Sequence, residues 1–248
     1  LALAGAGSDN VLRAHQVTLS FLLLALGAFY YWLRIEHPSQ WLAVGLVLLW
    51  AMMPFTLLLN TEIWSENTYL TLSLLTLAWA NRQPLPQLPT QTAIALALLI
   101  GLVAITRTAG LSLVGAWLWA CLRHTEKQPL RTGLLIGFSL VPLFMLAAWN
   151  AYYPTDSKGY LGNWLYYVSA QVEQHGLTAF VVNYLQLQLH SLWNAWGTVM
   201  TGLEGPPPQP MGLIVLLLTI TGGWLMRLKQ QRLDAVYILL YLGILLIW

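Results

Sequence analysis

Residues 93–122 read AIALALLIGLVAITRTAGLSLVGAWLWACL, two apolar runs separated by a short polar element around Arg107. Arg107 is the only charged residue in this stretch. A helix rises about 1.5 Å per residue, and the hydrocarbon core of a bilayer is about 30 Å thick. Apolar runs of this length therefore predict membrane-embedded helices, and they place Arg107 at the point where two of them meet.

The same pattern extends over the chain and predicts about eight membrane segments. They are residues 15–34, 41–60, 66–80, 91–106, 109–122, 132–150, 211–226 and 234–248. Two of them, 66–80 and 109–122, are short for a full crossing, which is typical of a tilted or broken helix. The expected fold is all-α: a polytopic transmembrane helical bundle forming a single domain over residues 1–248, with one longer extracytoplasmic loop at residues 151–210.

The composition excludes a soluble domain of ordinary size. Charged residues make up 8% of the chain and hydrophobic residues 58%, whereas a soluble domain carries about 25% charged residues. The formal net charge is +2 and the basic residues are scattered, which argues against nucleic acid as a partner. Cys121 is the only cysteine, so a disulfide within the chain is excluded. The chain starts at Leu1 without a basic leader region and stops inside an apolar run, and we expect it to lack sequence at both ends.

Lysine and arginine in the short loops predict the orientation, because cytoplasmic loops carry an excess of them. If the eight segments alternate, one side receives eight of the 11 basic residues. These are Arg34, Arg82, Arg123, Lys127, Arg131, Arg227, Lys229 and Arg232. The other side receives only Arg13, Arg107 and Lys158. The first group is therefore assigned to the cytoplasm, and the loop at residues 151–210 and the turn at residues 61–66 are assigned to the outside.

The outer loop differs from the rest of the chain because it mixes aromatic, amide and single charged side chains. Tyr153, Asp156 and Lys158 are candidate substrate-binding residues, since aromatic rings among polar groups suit a sugar. An interfacial aromatic belt is the alternative interpretation. Residues 176–200 form an amphipathic stretch that predicts a helix lying in the membrane interface. The five histidines have no ligand-like spacing, so the sequence predicts no histidine metal site.

Two acidic residues four positions apart, Glu62 and Glu66, stand at the outer end of the third segment. If that turn is helical, the two carboxylates share one face, where they can orient a hydroxyl, act as a base or bind a divalent cation. The alternative is a pair of interfacial acids solvated by lipid headgroups. Glu66 follows Ser65 and begins an apolar run, so it is the stronger candidate of the two.

Arg107 belongs to the element Thr106-Arg107-Thr108-Ala109-Gly110, on the side where positive charge is depleted. The planar guanidinium group can bind a phosphate or pyrophosphate through two parallel hydrogen bonds. The alternative is an arginine whose head reaches the headgroup phosphates while its stem stays in apolar surroundings. Gly110 would let the backbone turn sharply after the arginine.

The order of these elements resembles the C-type glycosyltransferase superfamily of membrane enzymes. It is similar in particular to bacterial proteins of the kind of dolichyl-phosphate-mannose protein mannosyltransferases and lipid A aminoarabinose transferases. The resembling features, in order, are a proline-ended helix at Trp41–Pro54, the Ser65-Glu66 pair, Gly101 followed by Thr106–Gly110, the Trp149-Asn150 helix end before the polar outer loop, and a paired-helix finish at Asp234–Trp248.

The resemblance implies transfer of a sugar from a polyprenyl-phosphate-linked donor to a glycan, lipid or protein acceptor at the outer face of a bacterial inner membrane, usually with inversion at the anomeric carbon. It implies no fixed cofactor, because the lipid-linked donor is a substrate. It also implies a catalytic aspartate in a first outer loop, for which this chain has no match; Asp9 lies in a different context, between Ser8 and Asn10. The resemblance therefore extends to Glu66 and Arg107, both in supporting roles.

Two other classes of function stay open on the sequence alone: a polytopic transporter or lipid flippase, and a non-enzymatic scaffold subunit. Transporters usually carry ionisable or broken-helix sites near the bilayer midplane. Here the candidate charges lie near the outer ends of segments, and one long outer loop breaks the symmetry expected of paired repeats. The pattern therefore favours the enzyme.

Overall fold

The computed structural model describes residues 11–53, 56, 66–83, 85–123, 128–152, 159–201, 203, 205–208 and 211–247. They form ten helices and, within these residues, no strand. The helices are α1 Val11–Glu36, α2 Gln40–Ala51, α3 Glu66–Arg82, α4 Thr90–Thr106, α5 Leu111–Leu122, α6 Pro129–Tyr152, α7 Gly159–His175, α8 Leu177–Thr201, α9 Met211–Lys229 and α10 Leu233–Ile247. The prediction of an all-α fold is confirmed.

Three of these helices are long and apolar enough to cross a membrane: α1, counted from Leu12 to Glu36, together with α6 and α9. Four shorter apolar stretches accompany them, at Gln40–Ala51, Thr90–Thr106, Thr108–Leu122 and Leu233–Leu246. The structure therefore supports a membrane protein, while the number of eight crossings stays a prediction.

Helix α2 ends at Ala51, and residues 54–55 and 57–60 of the predicted segment 41–60 lie outside the described residues. The amide of Met52 closes the last turn by donating to the carbonyl of Leu48 at 2.9 Å. Pro54 explains why the helix ends here, because a proline disfavours helical geometry at the preceding residue. At the other end of the helix, the Ser39 hydroxyl accepts a hydrogen bond from the Leu42 amide at 3.3 Å, which satisfies one of the free amides of the first turn.

Helix α3 is the least apolar of the predicted membrane segments, and its polar side chains are buried against α1. The Thr71 hydroxyl donates to the carbonyl of Phe21 at 2.6 Å, and the Asn67 amide donates to the carbonyl of Thr18 at 3.5 Å. Small buried residues of α1, such as Ala25, let the two backbones approach. Small and hydroxyl residues are typical of helix contacts within membranes, where apolar side chains gain nothing by leaving the lipid.

The best-packed part of the core lies between α4, α5 and α6, where Leu96, Ile100, Leu113 and Trp117 are buried. Gly101 makes the close approach of α4 to α6 possible. A methyl group at this position would lie 2.4 Å from the carbonyl oxygen of Ser139 and 2.8 Å from the ring of Pro142, both on α6. The glycine that the sequence pattern singled out is therefore a packing residue.

The predicted outer loop contains the two helices α7 and α8, which meet at Gly176, a residue in left-handed conformation with φ +78°. Helix α8 coincides with the predicted amphipathic stretch at residues 176–200 and most of its side chains are exposed. Its position in the membrane interface stays a prediction. After α8 the chain turns back, and its Gly205 carbonyl comes so close to Gly197 that a β-carbon there would lie 2.0 Å from the oxygen.

Contacts at the two ends of the bundle group the helix ends as the alternating topology requires. At one end the start of α3 contacts the end of α4 through Glu66 and Arg107. At the other end α1, α9 and α10 meet through Glu36, Arg227 and Asp234. We expect the first end to face outward, since it carries the smaller share of lysine and arginine.

Cysteine labelling tests this orientation. In a Cys121→Ala background, cysteine at Gly162 should react with a membrane-impermeant thiol reagent added to intact cells, because residues 151–210 are assigned to the outside. Cysteine at Gln128, which precedes α6 on the opposite side, should react only after the cells are opened. Labelling of the Gln128→Cys variant in intact cells would reverse the orientation.

Candidate functional site

Arg107 lies in a tight connection between α4 and α5. Its backbone is extended (φ −156°, ψ 148°), and a 3₁₀ turn at Thr108–Gly110 follows it. The Gly110 amide donates to the Arg107 carbonyl at 2.8 Å. A β-carbon at Gly110 would lie 2.4 Å from the Val103 carbonyl oxygen, so the turn folds directly onto the last turn of α4. The glycine is thus required for the close approach of the turn to α4, and the chain leaves the axis of α4 at Arg107.

Glu66 is the first residue of α3, where a carboxylate is favoured by the positive end of the helix dipole. Its Oε1 accepts a hydrogen bond from Nη1 of Arg107, which is 41 residues away in the chain. The exposed fraction of the side chain is 40% for Arg107 and 18% for Glu66. The two supporting residues that the sequence indicated separately therefore form one ion pair at one end of the bundle.

This pair leaves hydrogen-bonding capacity on both partners. A guanidinium group has five N–H donors, and a carboxylate can accept about four hydrogen bonds. Within the described residues, the side chains of Arg107 and Glu66 share one hydrogen bond. The exposed remainder of Arg107 can bind an anion, while the second carboxylate oxygen of Glu66 can accept a hydrogen bond from a hydroxyl group.

Tyrosines of α3 and α10 lie beneath the pair and were missed by the sequence analysis. The hydroxyls of Tyr69 and Tyr237 are 2.6 Å apart, and the rings of Tyr237 and Tyr241 are 5.8 Å apart. The spacing of Tyr237 and Tyr241, four residues apart on one helix face, was the available signal, but the segment at residues 234–248 was interpreted only as apolar.

Four of the predicted substrate-binding residues, Glu62, Tyr153, Asp156 and Lys158, lie outside the described residues. Of the predicted site residues, the structure brings together Arg107 and Glu66. Among the residues that it describes, no three His, Cys, Asp or Glu side chains are grouped as metal ligands would be.

A second group of charges lies at the opposite end of the bundle. Nη1 of Arg227 is 2.9 Å from Oε2 of Glu36, and Nη2 of Arg227 contacts Asp234. Arg232 contacts the other oxygen of Glu36. The Asn81 amide donates to Asp234 at 3.2 Å. We call Glu36, Arg227, Arg232 and Asp234 the four-charge network; its charges balance, and it connects α1, α9 and α10.

Comparisons of the chain with protein-family models, with curated proteins and with solved structures gave no match.

Proposed function

We propose that this protein is a membrane glycosyltransferase that moves a sugar from a polyprenyl-phosphate-linked donor to an acceptor at the outer face of the membrane. The observation that supports the proposal most directly is the ion pair of Arg107 and Glu66 at one end of the bundle. It combines a partly exposed guanidinium group, suited to a phosphate, with a carboxylate that can position a hydroxyl group.

In this proposal Arg107 binds the lipid phosphate of the donor and stabilises the charge that develops on it as the glycosidic oxygen leaves. An acceptor hydroxyl attacks the anomeric carbon, the bond from that carbon to the phosphate oxygen breaks, and the hydroxyl proton passes to a carboxylate base. Glu66 holds Arg107 and orients a hydroxyl of the donor or acceptor. We assign neither residue the role of the base.

The distribution of charges favours the enzyme over the transporter. Every Asp, Glu, Lys and Arg in the described helices lies within three residues of a helix end. A transporter site near the bilayer midplane would place some of them in the middle of a helix. A transferase that receives its substrates at the membrane surface needs its charges at the ends, as they are in these helices.

Substitution of Glu66 by glutamine tests the proposal, because glutamine keeps the shape and removes the charge. We expect transfer from a polyprenyl-phosphate sugar donor by the purified full-length protein to fall about 10²-fold, the size typical of a lost positioning contact. The loss of the favourable helix-dipole interaction alone would cost only about 0.3–1 kcal/mol. The measurement is the initial rate of sugar transfer at saturating donor.

The matched control is Glu62→Gln, which removes the carboxylate four positions earlier in the chain. We expect it to retain most of the transfer rate. Equal and mild effects of the two substitutions, in protein that inserts normally, would reduce Glu66 to a residue that starts a helix. Accumulation of a transported solute with no sugar transfer would favour the transporter instead.

A further inference from the structure

A cavity of about 600 Å³ lies at the end of the bundle opposite Arg107. Its walls come from four places in the chain: residues 80–88 at and after the end of α3, Leu96 of α4, residues 117–123 at the end of α5, and residues 230–233 where α9 passes into α10. Apart from Leu96, these residues belong to regions that the lysine and arginine distribution assigns to the cytoplasm. We call it the Arg123 cavity. Small-molecule sites are typically about 300–1,000 Å³, so its size is suitable for one ligand.

The polar side chains of the Arg123 cavity offer hydrogen-bond donors and positive charge, and its amide groups also offer acceptor oxygens. Arg123 and Arg232 line it together with the amides of Asn81, Gln83, Gln230 and Gln231. Among the described residues that line it there is no carboxylate. The charge of Arg232 is balanced by Glu36, while Arg123 lies over the ring of Trp119 at 4.9 Å from the ring centre. The lining therefore suits an anion.

One wall of the cavity is fixed by an arginine that is not itself in the lining. The Arg131 guanidinium group donates to the carbonyls of Leu85 and Pro86, each at 3.2 Å, and also to that of Leu88. These bonds hold the connection between α3 and α4 in place against the start of α6. A wall held in this way is preformed, which lowers the cost of ordering a site when a ligand binds.

Gln231 has an uncommon backbone conformation at the edge of the cavity. It has a left-handed backbone with φ 58°, a conformation in which L side chains are unfavourable. It occupies the position after the end of α9 where glycine is usual: its amide donates to Leu228 at 2.9 Å, and the Arg232 amide donates to Arg227 at 3.1 Å. A glutamine here is disfavoured for the fold, and its side chain lines the cavity.

We propose that the Arg123 cavity binds a phosphate-bearing anion, with Arg123 supplying the charge and Gln231 an amide donor. The phosphate can belong to an anionic phospholipid headgroup or to a soluble molecule. Basic pockets between helices at the cytoplasmic surface bind anionic headgroups, and Trp119 beside Arg123 is typical of that depth in the membrane. The inference concerns a site distinct from Arg107 and does not depend on the proposed glycosyl transfer.

Native mass spectrometry of the full-length protein in a neutral detergent tests the proposal, with phosphatidylglycerol titrated against phosphatidylcholine and against inorganic phosphate. We expect Arg123→Gln to weaken phosphatidylglycerol binding about tenfold or more, as for the loss of a hydrogen bond to a charged group. Arg82→Gln is the matched control: Arg82 is exposed and assigned to the same side, but it does not line the cavity. The affinity of Arg82→Gln for phosphatidylglycerol should be within about twofold of that of the unchanged protein.

Gln231→Gly is the second variant and keeps the test informative if Arg123→Gln does not fold. Glycine adopts the left-handed backbone of this position without the unfavourable contacts of a side chain. The variant should keep or raise the temperature of unfolding and weaken binding severalfold. If inorganic phosphate binds and its binding also depends on Arg123, the cavity is assigned to a soluble phosphate. If inorganic phosphate does not bind in this way, the cavity is assigned to the headgroup. The proposal would be overturned by equal binding of the two phospholipids together with no binding of inorganic phosphate that depends on Arg123. Equal losses in Arg82→Gln and Arg123→Gln, or full affinity in Gln231→Gly, would also overturn it.

Discussion

Replacement of Arg107 by alanine is expected to lower sugar transfer about 10²–10³-fold, the effect of removing one group that stabilises developing charge in a transition state. Arg107→Lys should lose most of the activity as well, because lysine keeps the charge but lacks the planar fork. The measurement is the transfer rate of the purified full-length protein with a polyprenyl-phosphate sugar donor. Normal expression and an unchanged helical circular dichroism spectrum are the controls for insertion and folding.

A structural role of the same pair would have a much smaller effect. The Arg107 side chain is 40% exposed, and ion pairs exposed to this degree contribute about 0–1 kcal/mol to stability. Such a loss lowers the fraction of folded protein very little when the free energy of unfolding is about 5–15 kcal/mol. Loss of the ion pair alone therefore leaves activity nearly unchanged, and a drop of two orders of magnitude requires a direct role.

Exchange of the two residues, Glu66→Arg together with Arg107→Glu, separates the roles further. The exchanged protein can form the same ion pair, so a purely structural pair would be rescued. A pair in which the guanidinium group binds phosphate would not be rescued, because the positive charge would then start from α3 instead of from the turn after α4. Full activity of the exchanged protein, or of Arg107→Ala, would contradict the phosphate role.

The sequence predicted Arg107 and Glu66 one at a time, each from its place at the end of an apolar segment. It did not predict their contact, because that depends on how α3 packs beside α4 and on the turn at Gly110, where the backbone folds onto Val103. The helical fold was predictable, since apolar runs and the positions of arginine and lysine depend on local sequence. Which helices touch depends on side-chain packing, which periodicity does not determine.

The four-charge network is a second group of contacts that the sequence did not predict. In the sequence, Arg227 and Arg232 were interpreted only as markers of the cytoplasmic side. The structure gives them acidic partners: Glu36 from α1, almost 200 positions earlier in the chain, and Asp234 from the next helix. The rule that cytoplasmic loops carry an excess of lysine and arginine counts charges and ignores how they pair. It therefore predicts the orientation of the helices but not the contacts between them.

Substitution of Asp234 by alanine is expected to give the largest loss of stability in the chain. The exposed fraction of its side chain is 3%, against 25% for its partner Arg227. Removing one member of a buried ion pair costs about 3–5 kcal/mol, and here it leaves two arginines with the single carboxylate of Glu36. The partial exposure of Arg227 allows some solvation by water, so we expect a loss near the lower limit, about 3 kcal/mol. The Asn81 amide and the Ala235 backbone amide lose an acceptor as well.

The measurement is the free energy of unfolding in mixed detergent micelles. Lys229→Ala is the matched control: Lys229 is exposed in the same last turn of α9 as Arg227 and forms no ion pair with a described residue. It should change stability by less than about 0.5 kcal/mol.

Asp234→Asn should have an intermediate effect, because the amide retains an oxygen acceptor but no charge. If Asp234→Ala and Lys229→Ala lower stability equally, the network does not hold α1, α9 and α10 together. A second substitution, Arg227→Ala, decides between a lost contact and an excess of positive charge. If the excess positive charge causes the loss, the double variant should be more stable than Asp234→Ala alone, because Glu36 and Arg232 then balance each other.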